Sequence, residues 1–295
     1  MAVPAEKPTI VRVDATNPEI TPEKLVEILE RDGGVIVENL ISQELAGEIR
    51  KDLKPLFERD IPDKYGLFPP TTQRATGLLA ESDACVELVC NKLFTDVANI
   101  MVSSYHTMWR GDRQVTIGGK PILSAALGFR VNPGGKQQVL HRDDNDHHPK
   151  PGEALTMISC VTALTKTTKE NGATVAIPGS HLWGPERRPL DEEAVPVELE
   201  VGGALIFLGT LYHAGGSNIT KDDYRETLGT FLCKPILRPT ENFFLEIPVE
   251  RVRQMKPQAQ RLLGYGVCEP GIGFMHYQDP MRALFGVEDE ETVDM

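Results

Sequence analysis

Behind Thr21-Pro22-Glu23, Leu25, Ile28 and Leu29 recur at helical spacing, and the hydroxyl cap, the proline and the first-turn acid mark a helix start. Gly33-Gly34 is expected to end that helix. Val35-Ile36-Val37 then reads as a short β-branched strand, and Ser42 as the cap of a second helix carrying Leu45, Ile49, Leu53 and Leu56 on one face. Residues 20–60 therefore form an N-terminal αβα segment. Residues 60–81, rich in Pro, Gly, Thr and basic residues, read as a long loop, and within it Gln73 to Leu79 is expected to act as a lid. One long helix is predicted from Ser82 to about Ser104, burying Val86, Val89, Leu93, Val97, Ile100 and Met101 against a sheet.

After that helix the pattern changes to short runs bounded by turn residues, at 121–131, 155–164, 173–178, 195–208 and 226–237. Such spacing belongs to an all-β sandwich or barrel, and double-sheet jelly rolls are one outcome. Asn171-Gly172 joins the run 161–164 to 173–177, while Gly202-Gly203 leads 204–208 toward His213. Helical periodicity returns only at 248–263, before a stretch containing Gly, Pro and aromatic residues and then an acidic tail. The expectation is a single domain over 1–295, mainly β with flanking helices. Its core lies at about 120–240 and a C-terminal helix and cap at 248–285.

Composition narrows the partners. The chain of 295 residues is 40% hydrophobic and 25% charged, ordinary for a globular protein, and its net charge of −12 argues against nucleic acid or an anionic membrane surface. Small molecules remain. The five cysteines are odd in number and scattered, with no Cys-x-x-Cys pair, so they read as buried thiols in a reducing compartment. The start lacks the apolar core of a secretory signal and no apolar run is long enough to span a bilayer, so a cytoplasmic location is expected.

The candidate chemistry centres on His141-Arg142-Asp143-Asp144. Residues i and i+2 share a strand face, so His141 and Asp143 would point together, and a later strand could return His213 to them. Two His and one carboxylate make the facial triad that suits non-haem Fe(II) and leaves three positions open. Asp144 would point to the opposite face, His147 and His148 diverge toward the rim, and His181, in a turn-flanked loop, ranks behind His213 as the third ligand. Arg225 adds a second requirement. Activating dioxygen at Fe(II) takes two further electrons, which a bound 2-oxo acid supplies by oxidative decarboxylation. Its far carboxylate would then need a guanidinium fork. Read alone, Arg225 is equally a surface residue beside Asp222 and Asp223. Thr174 offers a hydroxyl to such a co-substrate or is simply a β-branched strand residue, and Gln138 offers an amide to it or faces solvent. Trp109, Phe129 and Phe231 are candidate pocket aromatics, although aromatic strand positions are more often ordinary core.

Taken together, Gln138 to Asp144, Glu170-Asn171-Gly172-Ala173-Thr174, Gly179-Ser180-His181-Leu182-Trp183, His213-Ala214-Gly215-Gly216 and Arg225 resemble the phytanoyl-CoA dioxygenase family of Fe(II)- and 2-oxoglutarate-dependent oxygenases. The resemblance runs from about 20 to 285 and looks closest to the fungal branch that tailors meroterpenoids and alkaloids in secondary-metabolite biosynthesis. It implies a double-stranded β-helix, a cupin-like jelly roll with helices packed outside, and a homodimer. By matching position it implies His141, Asp143 and His213 on iron, with Gln138, Thr174 and Arg225 on 2-oxoglutarate, and dioxygen as the oxidant. The related halogenases carry a small residue at the position of Asp143, so halogenation is not implied. The outcome expected is hydroxylation, desaturation or rearrangement of a hydrophobic small molecule. The alternatives are an acyl-thioester hydroxylase like the phytanoyl-CoA enzyme, a cupin-like metal enzyme that is not an oxygenase, and a binding protein.

Overall fold

Ala204–Leu208 and Met157–Ala163 are apolar at nearly every position because both faces of these strands are covered. A computed structural model describes residues 9–61, 68–149 and 153–293. The chain runs β1 (Arg12–Asp14), α1 (Pro22–Asp32), β2 (Gly34–Glu38), α2 (Gln43–Phe57), β3 (Thr72–Ala75), α3 (Leu78–Glu81), α4 (Asp83–Val89) and α5 (Lys92–Val102). The β region follows as β4 (Ser104–Arg110), β5 (Arg113–Gly119), β6 (Ile122–Val131), β7 (Met157–Ala163), β8 (Val175–Ala176), β9 (Val195–Pro196), β10 (Ala204–Leu208), β11 (His213–Ala214) and β12 (Arg225–Cys233). Four short helices close the chain: α6 (Phe243–Glu246), α7 (Val249–Arg253), α8 (Pro257–Leu262) and α9 (Pro280–Phe285).

The large sheet has the order β1-β2-β10-β7-β12-β6-β3, and a smaller sheet, β11-β8-β9, faces it. Alternation along the strands divides the core. Ile36, Val161, Ala163, Leu205 and Phe207 pack inward on Ala176, Val197, Leu199 and Leu211. Their sequence neighbours Val35, Val37, Cys160, Ala204 and Ile206 pack on the helical layer with Leu25, Leu29, Leu53 and Phe94. The αβα segment takes its place in this plan: Thr21 accepts from the Lys24 N–H, Gly33 closes α1 at φ 81°, and β2 pairs with β10.

Several expectations change. The helix from Ser82 is two helices, because Asn91 caps α5 by accepting from the Phe94 N–H and so ends the run begun at α4. Pro257, at the first position of α8, starts a new helix there and splits 248–263. Within 60–81, the stretch 62–67 lies outside the described residues. The proposed lid is no lid: Gln73 to Ala75 pair with β6 and Leu78 and Leu79 are buried in the core. The runs joined by Asn171-Gly172 lie in opposite sheets and do not pair. The hairpin β4–β5 is an addition, turning at Gly111-Asp112 with Gly111 at φ 65°. The five cysteines are buried and free. Among the described residues no helix is long and apolar enough to cross a membrane.

Candidate active site

His141 and His213 face each other across the rim of the small sheet. The His141 N–H donates to the His213 carbonyl at 2.9 Å and the His213 N–H donates back at 3.0 Å. Such a directly opposed pair projects both rings to one side, with centroids 4.5 Å apart. Asp143 arrives differently from expectation. It leaves the strand and opens a 3-10 turn, Asp143–His147, which swings its Oδ1 to 3.7 Å from His141 Nε2 and 3.4 Å from His213 Nε2. One ligand atom from each residue lies within 4.8 Å of the other two.

Three further contacts orient these groups. His141 Nδ1 lies 2.8 Å from the Val139 carbonyl and His213 Nδ1 lies 3.1 Å from that of Leu211. A carbonyl only accepts, so each Nδ1 carries the proton and each Nε2 turns a lone pair to the centre. Burial holds the His213 pKa below its ordinary value and so favours this neutral ring. Ser159 donates to Asp143 Oδ2 at 2.7 Å and leaves Oδ1 for the centre. Two imidazole nitrogens and one carboxylate oxygen on one side fit an Fe(II) ion. Ser159 escaped the sequence reading because it is one polar letter inside the apolar strand β7, and only the fold brings it to Asp143.

A cavity of about 520 Å³ opens from the triad, and Gln138, Thr174 and Arg225 all line it. Arg225 is not a surface residue: it is 4% exposed, donates to Thr174 Oγ1 at 3.3 Å, and leaves its Nε without a partner. No acidic side chain pairs with it among the described residues, and burial pushes its pKa down to about 10. Gln138 Oε1 accepts from the Gly215 N–H at 2.8 Å, which leaves its NH2 to donate into the cavity. A buried, unpaired guanidinium beside two further donors is a receptor for a carboxylate.

The rival ligands lie elsewhere. Asp144 is buried with both oxygens unpartnered, and burial raises its pKa. His181 rests its Nε2 on the Glu30 carbonyl at 3.1 Å, held against the end of α1. His147 approaches the Arg238 carbonyl, and His148 is exposed. Phe129 and Phe231 line the cavity rather than serving only as core, whereas Trp109 is neither and sits on the outer hairpin, 66% exposed. The segment around Tyr265 to Tyr277 borders a separate cavity of about 970 Å³ and, among the described residues, contributes nothing to the triad's cavity.

The sequence profile described as phytanoyl-CoA dioxygenase (PhyH) matches residues 29–227, which include the triad and Arg225. The chain belongs to the phytanoyl-CoA dioxygenase family. Among its relatives, the dioxygenase himG of Aspergillus japonicus is 32% identical over 100% of this chain and 97% of that protein. The dioxygenase peniF of Penicillium patulum is 35% identical over 89% of this chain and 88% of its own. Among solved structures, the non-haem alpha-ketoglutarate-dependent epimerase SnoN from nogalamycin biosynthesis aligns with a TM-score of 0.57 at 18% identity, covering 76% of this chain and 88% of that one. HygX from Streptomyces hygroscopicus, solved with nickel, 2-oxoglutarate and hygromycin B, gives 0.55 at 17% identity over 75% and 90%. These structural matches show that the dioxygenase shares their fold, a double-stranded β-helix.

Proposed function

We propose that this dioxygenase holds Fe(II) on His141, Asp143 and His213 and 2-oxoglutarate on Arg225, Thr174 and Gln138. Its substrate is a hydrophobic natural product, a meroterpenoid or alkaloid of fungal secondary metabolism, which it hydroxylates, desaturates or rearranges. The observation that carries this reading is Arg225, a fully buried cation with no acidic partner among the described residues, lining the same cavity as the triad. A structural arginine at that depth would be paired.

When bound, Fe(II) and 2-oxoglutarate turn dioxygen into a two-electron oxidant at the triad, releasing succinate and carbon dioxide. The chain's own residues do the placing. The three ligand atoms share one side of the centre and leave the other side open to the co-substrate, dioxygen and the substrate carbon. Arg225 fixes the far end of the co-substrate and thereby the direction from which its 2-oxo end meets the triad. Beyond the triad, Phe68, Leu127, Phe129 and Phe231 give the cavity an apolar wall that excludes water and suits a rigid, greasy substrate. Which carbon lies nearest the metal decides the product, and no acid–base residue is needed. Dioxygenase names among the fungal relatives and the natural-product titles of the structural neighbours support the substrate class.

The test is anaerobic titration of Fe(II) and then 2-oxoglutarate into metal-free protein. A weak visible charge-transfer band is expected in wild type and is lost in His213→Ala. Folded, iron-loaded protein that shows no band would refute the assignment. A homodimer belongs to the same proposal, supported by the exposed aromatics Tyr105 and Trp109 on the β4–β5 hairpin. A monomeric mass by light scattering would refute it.

A further inference from the structure

The cavity that opens from the triad has two different ends. Val131 on β6 is the register partner of Arg225, whereas Ser124 lies about 20 Å away along the same strand, and the cavity reaches both. Ala125, Met157 and Phe231 make the Ser124 end apolar, apart from Asn145 and one linked set of polar side chains. In that set Thr240 Oγ1 donates to Asp146 Oδ2 at 3.4 Å, which leaves Ser124 Oγ, 3.1 Å away, to donate to Thr240 Oγ1. Ser124 Oγ accepts in turn from the Thr240 N–H at 3.2 Å. The run of donors therefore ends on Asp146, and its Oδ1 receives none among the described residues.

Asp146 is also fixed relative to the triad. It sits three residues after Asp143 in the 3-10 turn Asp143–His147, where side chains at i and i+3 eclipse, so both carboxyl groups line the cavity about 6 Å apart along the turn. No Lys or Arg pairs with Asp146 among the described residues. Arg142 gives its guanidinium to the Ser180 and Trp183 carbonyls, and Lys136 follows Val131 at the Arg225 end. A greasy substrate filling this space takes water from the Asp146 carboxylate, and a positive charge returns what is lost where a neutral hydroxyl does not. Resting on the active-site reading above, we infer that the substrate is a protonated amine, an alkaloid rather than a neutral terpenoid, and that Asp146 holds its ammonium while the hydrocarbon frame lies between Phe231 and the triad. Asp146 is then a specificity residue, and its place in the turn sets which carbons beyond the nitrogen come near the metal. The net charge of −12 favours the approach of such a cation.

Asp146→Asn removes the charge and keeps the shape. Calorimetric titration of oxygen-free protein loaded with Fe(II) and 2-oxoglutarate compares decahydroquinoline, a rigid amine protonated at neutral pH, with 1-decalol, a neutral molecule of similar size. Wild type is expected to bind the amine about tenfold more tightly, equivalent to about 1.4 kcal/mol, and Asp146→Asn to bring the two within about twofold by weakening the amine alone. Asp146→Glu should keep the preference, and the unfolding midpoints of both variants should match wild type. Equal affinity of wild type for the two probes, binding of neither, or a preference that survives Asp146→Asn overturns the inference while leaving the co-substrate reading in place. Equal weakening of both probes in Asp146→Asn makes Asp146 a structural residue and overturns it as well. Failure of wild type to bind 2-oxoglutarate overturns the active-site reading with it.

Discussion

Arg225→Met should make the ligand-free protein more stable while abolishing co-substrate binding. The guanidinium is 4% exposed, and burial brings its pKa from the ordinary arginine value down to about 10. Arginine is charged at neutral pH in both the folded and the unfolded chain. Because the folded value is the lower one, the charged form is penalised in the fold, and that penalty lifts only as the pH rises past about 10. At about 1.4 kcal/mol per pKa unit the penalty is about 3 kcal/mol. Loss of the hydrogen bond to Thr174 offsets about 1 kcal/mol of the gain, and methionine fills much of the same volume. The net expectation is a gain of about 2 kcal/mol, or about 3 °C in the unfolding midpoint for a chain of this length. The assay is thermal unfolding of metal-loaded, oxygen-free protein with and without 2-oxoglutarate. Wild type should start lower and rise with the acid, whereas the variant should start higher and stay there. A variant with a lower midpoint, or one still stabilised by 2-oxoglutarate, would refute the reasoning, since Arg225 would then have a structural partner or the acid another receptor.

Three further outcomes follow from the geometry. Ser159→Ala removes the hydroxyl that donates to Asp143 Oδ2 and should weaken Fe(II) binding about tenfold or more, read by anaerobic calorimetry; unchanged affinity would remove Ser159 from the metal site. A Cβ at Gly229 would lie 2.7 Å from Phe231 Cε2, so Gly229→Ala should push that ring into the cavity and slow substrate oxidation. The 2-oxoglutarate affinity should stay within about twofold, and equal losses in both would place Phe231 in the co-substrate site instead. Burial, with Glu246 nearby, pushes the Glu241 carboxyl up to about 8 against the two backbone N–H groups it accepts, those of Gly77 and Ala126. Its folded pKa exceeds the ordinary 4.5, so the folded state holds the extra proton between these values and stability should fall as pH rises through that window. Unfolding midpoints from about pH 5 to pH 8 should therefore decline in wild type and flatten in Glu241→Gln; a flat wild-type profile would contradict the buried, protonated carboxyl.

The sequence by itself determined the local elements and the chemistry-bearing residues. Helix starts at Thr21 and Ser42 were legible because capping is a matter of a few adjacent residues, and the core strands because burial writes an apolar run. His141, Asp143 and His213 stood out as residue types that an apolar core would not otherwise choose. Boundaries were less legible: Asn91 and Pro257 each carried a break signal that an uninterrupted apolar stripe outweighed. The Gly111-Asp112 turn likewise carried a hairpin signal that went unused.

Only the tertiary structure decided what the fold brings together from far apart in the chain. It turned Asp143 off the strand into a 3-10 turn and faced His141 with His213. It supplied Ser159, Val139 and Leu211 as the groups that orient the ligands. Arg225 shows the division most clearly. Its neighbours in sequence, Asp222, Asp223 and Glu226, suggest a solvated charge cluster, yet alternation on β12 sends Glu226 to Arg50 and Arg130 and Arg225 into the cavity with no acidic partner among the described residues. Hydrogen bonding and desolvation depend on what crosses from other strands, and a linear pattern carries no record of that.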